Sequence, residues 1–318
     1  MAKGARGVVY AGIAGNLLVA VTKFVAAYFT HSSAMLSEAV HSVVDTLNQV
    51  VMLYGLRQSA RPPDKKHPLG HGRELYFWNF VVAVLIFAIG AGVSVYEGIR
   101  HVMDPVAMDK PWINYLVLAL AGAIELTSWS VAMREFRRHK GDLGYFEAAE
   151  QTKDSSTLTL LLEDSAALIG IAIALAGTAA SQVLDMPVLD GIASILIGLL
   201  LGVVAVFLAR ESKELLIGEP ARRGLVDAIR NCAATQAGVE QVNGLLTIQL
   251  APRQVVCALS LEFSDALRVP EIELAVEEIE ARIRASHPEV TLLLVKPQRA
   301  AVYKRSVAQR EARIEPPG

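Results

Sequence analysis

Six stretches of about 20 apolar residues constrain this fold more than any other feature of the sequence, because each can cross a membrane as a helix. We place them at about 7–29, 33–56, 75–99, 112–133, 158–180 and 188–209. Charged residues make up 19% of the chain, against about 25% in soluble domains. The pattern predicts an α-helical membrane protein with six transmembrane helices, which occupy residues 1–210.

The positions of Lys and Arg predict the orientation of these spans. Both residue types are frequent between the second and third stretches and between the fourth and fifth, where Lys153 is one of them, but residues 30–32 and 181–187 have none. Such residues concentrate in cytoplasmic connections, so we expect both termini in the cytoplasm. The first stretch lacks a cleavage signal, and a short N-terminus without a targeting peptide favours the inner (plasma) membrane of a bacterium.

Residues 211–297 alternate charged and apolar residues, which is typical of a soluble α+β domain. The predicted order is α-β-β-α-β, with elements at 220–235, 240–251, 254–264, 270–286 and 289–296. We expect residues 298–318 to form a flexible tail, because they contain few apolar residues.

Two cysteines, Cys232 and Cys257, are too few for a disulfide scaffold, and we predict that they fill the core of this domain. A net charge of −2 shows no basic excess, so no nucleic-acid partner is expected.

Polar residues inside two of the apolar stretches are the most informative part of the sequence. They are Glu38, His41, Asp45 and Asn48 in the second stretch and Glu163 and Asp164 in the fifth. The i,i+4 spacing of His41 and Asp45 puts them on one helix face, with Glu38 and Asn48 beyond either end as part of an ion pathway or an outer shell. Imidazole and carboxylates are typical zinc ligands. The alternative is a hydrogen-bonded cluster that locks two helices together.

The charge balance of this region favours cations. The carboxylates have no Lys or Arg assigned near them in the sequence, so a metal ion or protons would have to neutralise them. Lys23 in the first stretch and Glu125 in the fourth are weaker candidates for the pathway, and for Lys23 the alternative is that it extends towards the membrane surface.

A second group of ligand-type residues lies between the second and third stretches. Asp64, His67 and His71 are closely spaced, and the nearby Pro68 and Gly70 allow a loop to fold back around an ion. The alternative is a solvated turn with exposed histidines.

Three runs of residues resemble the cation diffusion facilitator family. They are Ser37 to Asp45 in the second stretch, His67 to Gly72 in the loop, and Phe87 to Gly92 with Tyr96 to Ile99 in the third stretch. Within the family, the runs His41 to Gln49 and Asp154 to Asp164 are most similar to the zinc transporter nine-like branch.

This resemblance implies a six-helix membrane domain, a cytoplasmic ferredoxin-like domain and a homodimer that exchanges divalent metal, mostly zinc, for protons. The family's central site takes an i,i+4 pair of ligands from each of spans two and five. Here His41, Asp45 and Asp164 match that pattern, but Leu160 stands where the fourth ligand would be. Glu163, Asn48 or water is then expected to complete the shell, with looser selectivity that would admit Mn²⁺, Fe²⁺, Co²⁺ or Cd²⁺.

The resemblance also implies a second metal site at Asp64, His67 and His71. It gives no support to the family's cytoplasmic binuclear site, because the required ligands cannot be placed, and His287, Glu262 and Asp265 form no clustered pattern. Two other functions are weighed against metal-proton exchange. One is a non-transporting membrane scaffold, and the other is an intramembrane metalloenzyme, for which the chain has no recognised catalytic motif.

Overall fold

The computed structural model describes residues 3–140, residue 144 and residues 155–314. The chain divides into two compact units, and the division falls after Lys213. The helices of the first unit are α1 (Lys3–Thr30), α2 (Ser33–Ser59), α3 (Glu74–Leu85), α4 (Gly92–Met103), α5 (Trp112–Lys140), α6 (Ser155–Val183) and α7 (Val188–Ile217). A π-helical segment, Ile86–Ala91, joins α3 to α4 as one continuous span. Lys153 and Asp154, used in the sequence predictions, lie outside the described residues.

Five helices of the described residues are long and apolar enough to cross a membrane: α1, the combined span of α3 and α4, α5, α6 and α7. The sixth, α2, has 27 residues and is therefore about 40 Å long, but its polar residues lower its hydropathy. Large apolar side chains are exposed along the spans, with Leu199 at 56%, Val203 at 70% and Phe87 at 55%. Such surfaces fit contact with lipid, and the predicted fold class is confirmed.

Close contacts between small residues join α4 to α7. A Cβ atom added at Gly98 would lie 2.8 Å from the carbonyl oxygen of Gly191, and one at Gly198 would lie 2.9 Å from the backbone nitrogen of Val95. Only glycine permits this approach, which is the usual basis of tight helix packing in membranes. The α4 and α7 backbones are therefore in direct contact.

A carboxylate from α7 caps the beginning of α2. Asp190 Oδ1 accepts a hydrogen bond from Ser32 Oγ at 2.8 Å, and Oδ2 accepts from the backbone N–H groups of Ser33 at 2.5 Å and Ala34 at 3.2 Å. The N–H groups of a first helical turn have no partners within the helix, and a negative charge there is favourable. This cap fixes the end of the helix that carries His41.

The second unit is a three-stranded sheet with helices. Its elements are α8 (Arg223–Ala234), β1 (Val239–Ala251), β2 (Gln254–Phe263), α9 (Val269–Ser286), β3 (Val290–Pro297) and α10 (Ala300–Ile314). The strand order is β1-β2-β3, with β1 antiparallel and β3 parallel to β2. The core contains Ile229, Leu259 and Ile279. The predicted α-β-β-α-β order is reproduced, with each boundary within three residues.

Helix α10 is a correction, because a flexible tail is expected from residue 298 onwards. Low apolar content does not prevent a helix from packing through one aromatic side chain. Tyr303 lies so close to Gly244 of β1 that any Cβ there would overlap its ring. The first residue of the helix is also fixed, since the backbone N–H of Ala300 donates to Glu262 at 3.2 Å. Residues 315–318 of the predicted tail lie outside the described residues.

Candidate metal sites

The polar face of α2 carries buried atoms that lack partners. His41 is 2% exposed, and its Nδ1 lies 3.4 Å from Asp45 Oδ1, one turn along the helix. Neither ring nitrogen of His41 makes a hydrogen bond, and Asp45 Oδ1 and Asn48 Oδ1 are equally unpartnered. Buried polar groups are nearly always hydrogen-bonded, so a row of unpartnered atoms is a strong indication that something else binds there.

Glu163 and Asp164 of α6 are adjacent in sequence but contact different helices. Glu163 Oε1 accepts a hydrogen bond from Asn48 Nδ2 of α2 at 2.9 Å. Asp164 Oδ2 accepts one from Ser128 Oγ of α5 at 2.8 Å. Neighbouring residues of a helix point about 100° apart, which explains why the two carboxylates have partners on different helices. Glu163 is the α6 carboxylate in direct contact with α2.

Acidic side chains from two other helices lie near Asp45. Its carboxylate is close enough to interact electrostatically with Glu163 and Asp164 of α6 and with Glu125 of α5. Glu125, a weaker candidate from the sequence, is thereby brought to the same region. A concentration of carboxylates at low dielectric attracts cations strongly, whether these are metal ions or protons.

These residues do not form a closed set of ligands in this conformation. Within the described residues, three ligand-type side chains have atoms within 4.8 Å of one another only at Asp64, His67 and His71. Leu160 is partly buried and packs against the apolar core of the first unit. His41 with Asp45, Glu163 with Asn48, and Asp164 with Ser128 are thus three separate pairs.

Lys23 lies inside the helical bundle. It is 0% exposed, and its Nζ donates to Glu38 Oε2 at 2.9 Å, so it does not extend to the membrane surface. The expectation that no Lys or Arg lies near the acids is therefore wrong. Helix rotation decides such contacts. The only sequence signal was that Lys23 lies seven residues before the end of α1, about 10 Å along the helix.

The loop group is assembled around one carboxylate. Asp64 Oδ1 lies 3.3 Å from His67 Nδ1, and Asp64 Oδ2 lies 3.2 Å from His71 Nε2. The two imidazole rings have centroids 4.3 Å apart. Gly70, with φ of 83°, provides the left-handed turn that brings His71 back towards Asp64. One carboxylate and two imidazoles at this separation fit a borderline divalent metal such as zinc.

Backbone groups fix the charge and position of Asp64. Its Oδ1 accepts hydrogen bonds from the backbone N–H groups of His67 at 2.6 Å and Lys66 at 2.8 Å. These bonds, that from His67 more than that from Lys66, lower the pKa of the Asp64 carboxyl to about 2. The carboxylate is therefore ionised and oriented without any metal. His71 is buried and His67 is half-exposed, so one side of the group is open.

The other candidates in the second unit remain apart. Cys257 is fully buried in its core, where burial raises the pKa of the thiol to about 11, and Cys232 packs against that core. His287 pairs with Glu289 at 3.7 Å, and Asp265 pairs with Arg299 at 3.0 Å. The described residues of this unit therefore contain no group of three metal ligands.

The fold and these residues define a multi-pass membrane protein with metal-ligand side chains inside its helical bundle. The chain belongs to the cation efflux family, whose model for the cation efflux transmembrane domain matches residues 9–217, more than half of the chain. This confirms the family predicted from the sequence, which consists of transporters rather than enzymes.

Several curated relatives are similar over much of the chain. The mitochondrial proton-coupled zinc antiporter SLC30A9 of Xenopus laevis is 32% identical over 87% of this chain and 51% of its own length. Metal tolerance protein C4 of Arabidopsis thaliana is 33% identical over 64% of this chain and 45% of its own length. The manganese efflux system protein MneS of Bacillus subtilis is 24% identical over 86% of this chain and 89% of its own length. The chain thus spans about half the length of the zinc antiporters it matches.

Proposed function

We propose that this protein is a secondary transporter that exports divalent metal cations, with Zn²⁺ as the favoured ion, from the cytoplasm in exchange for protons. The observation that carries this proposal is the row of unpartnered atoms on α2, comprising both ring nitrogens of His41 and Asp45 Oδ1, inside a membrane-length bundle. The zinc antiporter relatives support the choice of ion and of protons as the exchanged species.

The proposed central site uses His41 and Asp45 of α2 with Glu163 and Asp164 of α6. In the described conformation Glu163 is engaged by Asn48 and Asp164 by Ser128. Binding of an ion would exchange these amide and hydroxyl partners for the metal. Assembly of the ligands therefore requires α2, α5 and α6 to shift relative to one another, which is the motion that alternating access needs.

Proton exchange follows from the chemistry of the same ligands. Imidazole and carboxylate must lose protons before they can bind a metal ion. When the ion leaves, the buried negative charges around Asp45 need compensation, and protons supply it. The same side chains would then carry metal outward and protons inward.

The loop triad of Asp64, His67 and His71 is proposed as a second metal site, distinct from the transport pathway. Its ligand atoms already lie within 4.8 Å of one another. We propose that a resident ion there supports the homodimer that the family resemblance implies, with both termini in the cytoplasm.

Manganese is the second candidate substrate. Leu160 leaves the α6 side with carboxylates alone, and an oxygen-rich shell suits manganese or iron as well as zinc. The manganese efflux relative supports this alternative. Iron, cobalt and cadmium fall within the same looser selectivity.

The proposed location is the inner (plasma) membrane of a bacterium. The bacterial manganese efflux relative supports it, whereas the zinc antiporter relatives are mitochondrial. Targeting of a tagged full-length chain in bacterial and eukaryotic cells would test it.

Reconstituted vesicles with a pH-sensitive dye test the transport proposal. Zn, Mn, Fe, Co, Ni and Cd ions would be added separately, at inward and at outward pH gradients, with protein-free vesicles as the control. We expect zinc to produce the largest proton movement, opposite in direction to the metal. Metal-independent proton traces in vesicles of folded protein would instead support the membrane scaffold.

A further inference from the structure

The buried ion pair between Lys23 and Glu38 lies next to the proposed transport site. Lys23 Nζ donates to Glu38 Oε2 and to Ser42 Oγ, each at 2.9 Å. Both charged side chains are 0% exposed. Transfer of a charge into such surroundings is costly unless it is paired, so Lys23 and Glu38 depend on each other.

Glu38 has a second oxygen with no partner. Its Oε1 is buried and makes no hydrogen bond. It lies against α6 at Gly170, where any added Cβ would overlap it. A carboxylate can bind a cation through either oxygen or both. Glu38 therefore has one oxygen held by an ammonium and one that is available to a metal ion.

The pair acts on the same residues that the transport proposal uses. Glu38 lies three residues before His41 on α2, and Ser42 directly follows it. The ammonium of Lys23 is close enough to interact electrostatically with His41, Asp45 and Glu125. A change at Lys23 would therefore affect the ion site in two ways, through the charge of the ammonium and through the position of Glu38.

We propose that Lys23 is a specificity-determining residue, whose ammonium holds the Glu38 carboxylate away from the transported ion. This inference rests on the proposed function, and it adds a residue that controls which metal the site prefers. With Glu38 held, the His41 imidazole is joined by one carboxylate fewer, which favours zinc over manganese. With Glu38 released, the shell gains a carboxylate and becomes more favourable for manganese, an ion that prefers oxygen ligands.

The test is competition between Zn²⁺ and Mn²⁺ for purified full-length protein, measured by equilibrium dialysis. All variants would carry His67→Ala and His71→Ala, so that the loop contributes no bound metal. Lys23→Met removes the ammonium and keeps an unbranched apolar side chain that is one atom shorter. The double variant Lys23→Met with Glu38→Gln also removes the released carboxylate, and a neutral pair in place of a buried ion pair commonly preserves stability.

Ser37→Ala is the matched structural control. Ser37 also lies buried on α2, next to Glu38 in sequence, but its hydroxyl pairs with Ser194 of α7 at 2.6 Å. We expect this variant to melt at a lower temperature with an unchanged Zn:Mn preference. A general loosening of α2 would instead alter the preference in this control as well.

The expected result is a shift towards manganese of about tenfold or more in Lys23→Met, a size typical of changes around metal ligands. The double variant should return to the wild-type preference. An unchanged preference in folded Lys23→Met would overturn the proposal. If Lys23→Met does not fold, the double variant decides: wild-type zinc binding supports the proposal, and lost binding overturns it, because Glu38 would then be a ligand itself.

Failure of the proposed function gives a different result. Asp45→Ala in the same loop-deficient background should remove the remaining bound metal. If metal remains bound in Asp45→Ala, the central site is misassigned and the proposed role of Lys23 is overturned as well. If the metal is lost in Asp45→Ala but the Zn:Mn preference of Lys23→Met equals that of the wild type, only the role of Lys23 is overturned.

Discussion

The loop triad and the central residues carry similar chemical groups but are held in opposite ways. In the loop, Asp64 lies 3.3 Å from His67 and 3.2 Å from His71, and backbone N–H groups fix its orientation. In the membrane bundle, His41 and Asp45 have unpartnered atoms, and Glu163 and Asp164 are engaged by amide and hydroxyl groups of other helices.

The difference is one of preorganisation. A site whose ligands are already together binds an ion with little rearrangement and suits a resident metal. A site whose ligands arrive from separate helices couples binding to movement, because the ion selects the conformation that brings them together. The first arrangement favours retention, and the second favours release.

The largest expected effect is at the central site. Asp45→Ala should reduce metal-stimulated proton movement to the level of protein-free vesicles, because it removes the carboxylate next to His41. Folding should survive, because Asp45 Oδ1 accepts no hydrogen bond and the contact that is lost, at 3.4 Å from His41 Nδ1, lies within a single helix. Thr46→Val is the matched control: Thr46 is buried and its hydroxyl donates to the Ser42 carbonyl of the same helix, so transport should continue. Wild-type transport by folded Asp45→Ala protein would refute the central site.

Removal of the loop ligands should have a smaller effect on transport. The double variant His67→Ala with His71→Ala should lose one bound metal ion per protomer, and should show reduced transport or a weaker dimer rather than complete inactivity. Metal counting on purified protein and sedimentation measure both outcomes. His31→Ala is the control, because His31 is exposed and pairs with Asp109 in another connection. Unchanged metal content in the double variant would favour the alternative interpretation, a solvated turn with exposed histidines.

Leu160→His sharpens the comparison by making the central site more like a complete shell. The new imidazole would lie one turn before Asp164, on the same face of α6. It should raise the preference for zinc over manganese in vesicle competition, and zinc should raise the melting temperature more than in the wild type. If the zinc preference is unchanged or falls, position 160 does not face the site. Glu163, which already contacts α2 through Asn48, would then be the better α6 ligand.

The smallest effect concerns the pH response of the metal-free loop. The pKa of Asp64 is lowered to about 2, against about 3.9 in an unfolded chain. A carboxyl group whose pKa is lowered on folding stabilises the protein above the unfolded value, and that contribution disappears as pH falls through the folded value. Asp64→Asn should therefore lower the melting temperature above about pH 4, and the difference should shrink towards about pH 2. A difference independent of pH would contradict the fixed carboxylate.

The elements of this fold follow closely from the sequence because their signals are local. Runs of apolar residues identify the spans, and alternation identifies β1 and β2. The loop triad is also local, since three residues within eight positions can meet through one turn at Gly70. Spacing alone left a metal site and a solvated turn equally open, and the family resemblance favoured the metal site.

The contacts between helices could not be anticipated in the same way. Whether Lys23 meets Glu38, or Asn48 meets Glu163, depends on the rotation and depth of two helices, and each residue of error turns a side chain by about 100°. Helix α10 escaped prediction for a related reason, because its support is a distant glycine, Gly244, that leaves room for Tyr303. Long-range packing determined each of these contacts.

The π-helical segment at Ile86–Ala91 allows the two halves of the third span to face different neighbouring helices. Its α3 half packs on α2, where a Cβ at Gly55 would lie 2.7 Å from Cβ of Trp78, while its α4 half makes the glycine contact with α7. A π-helical turn holds one residue more than an α-helical turn, because its hydrogen bonds join residues i and i+5 instead of i and i+4. The wider turn absorbs that residue, so the helix on either side can keep its own face towards its own neighbour. One peptide unit therefore keeps both interfaces in register.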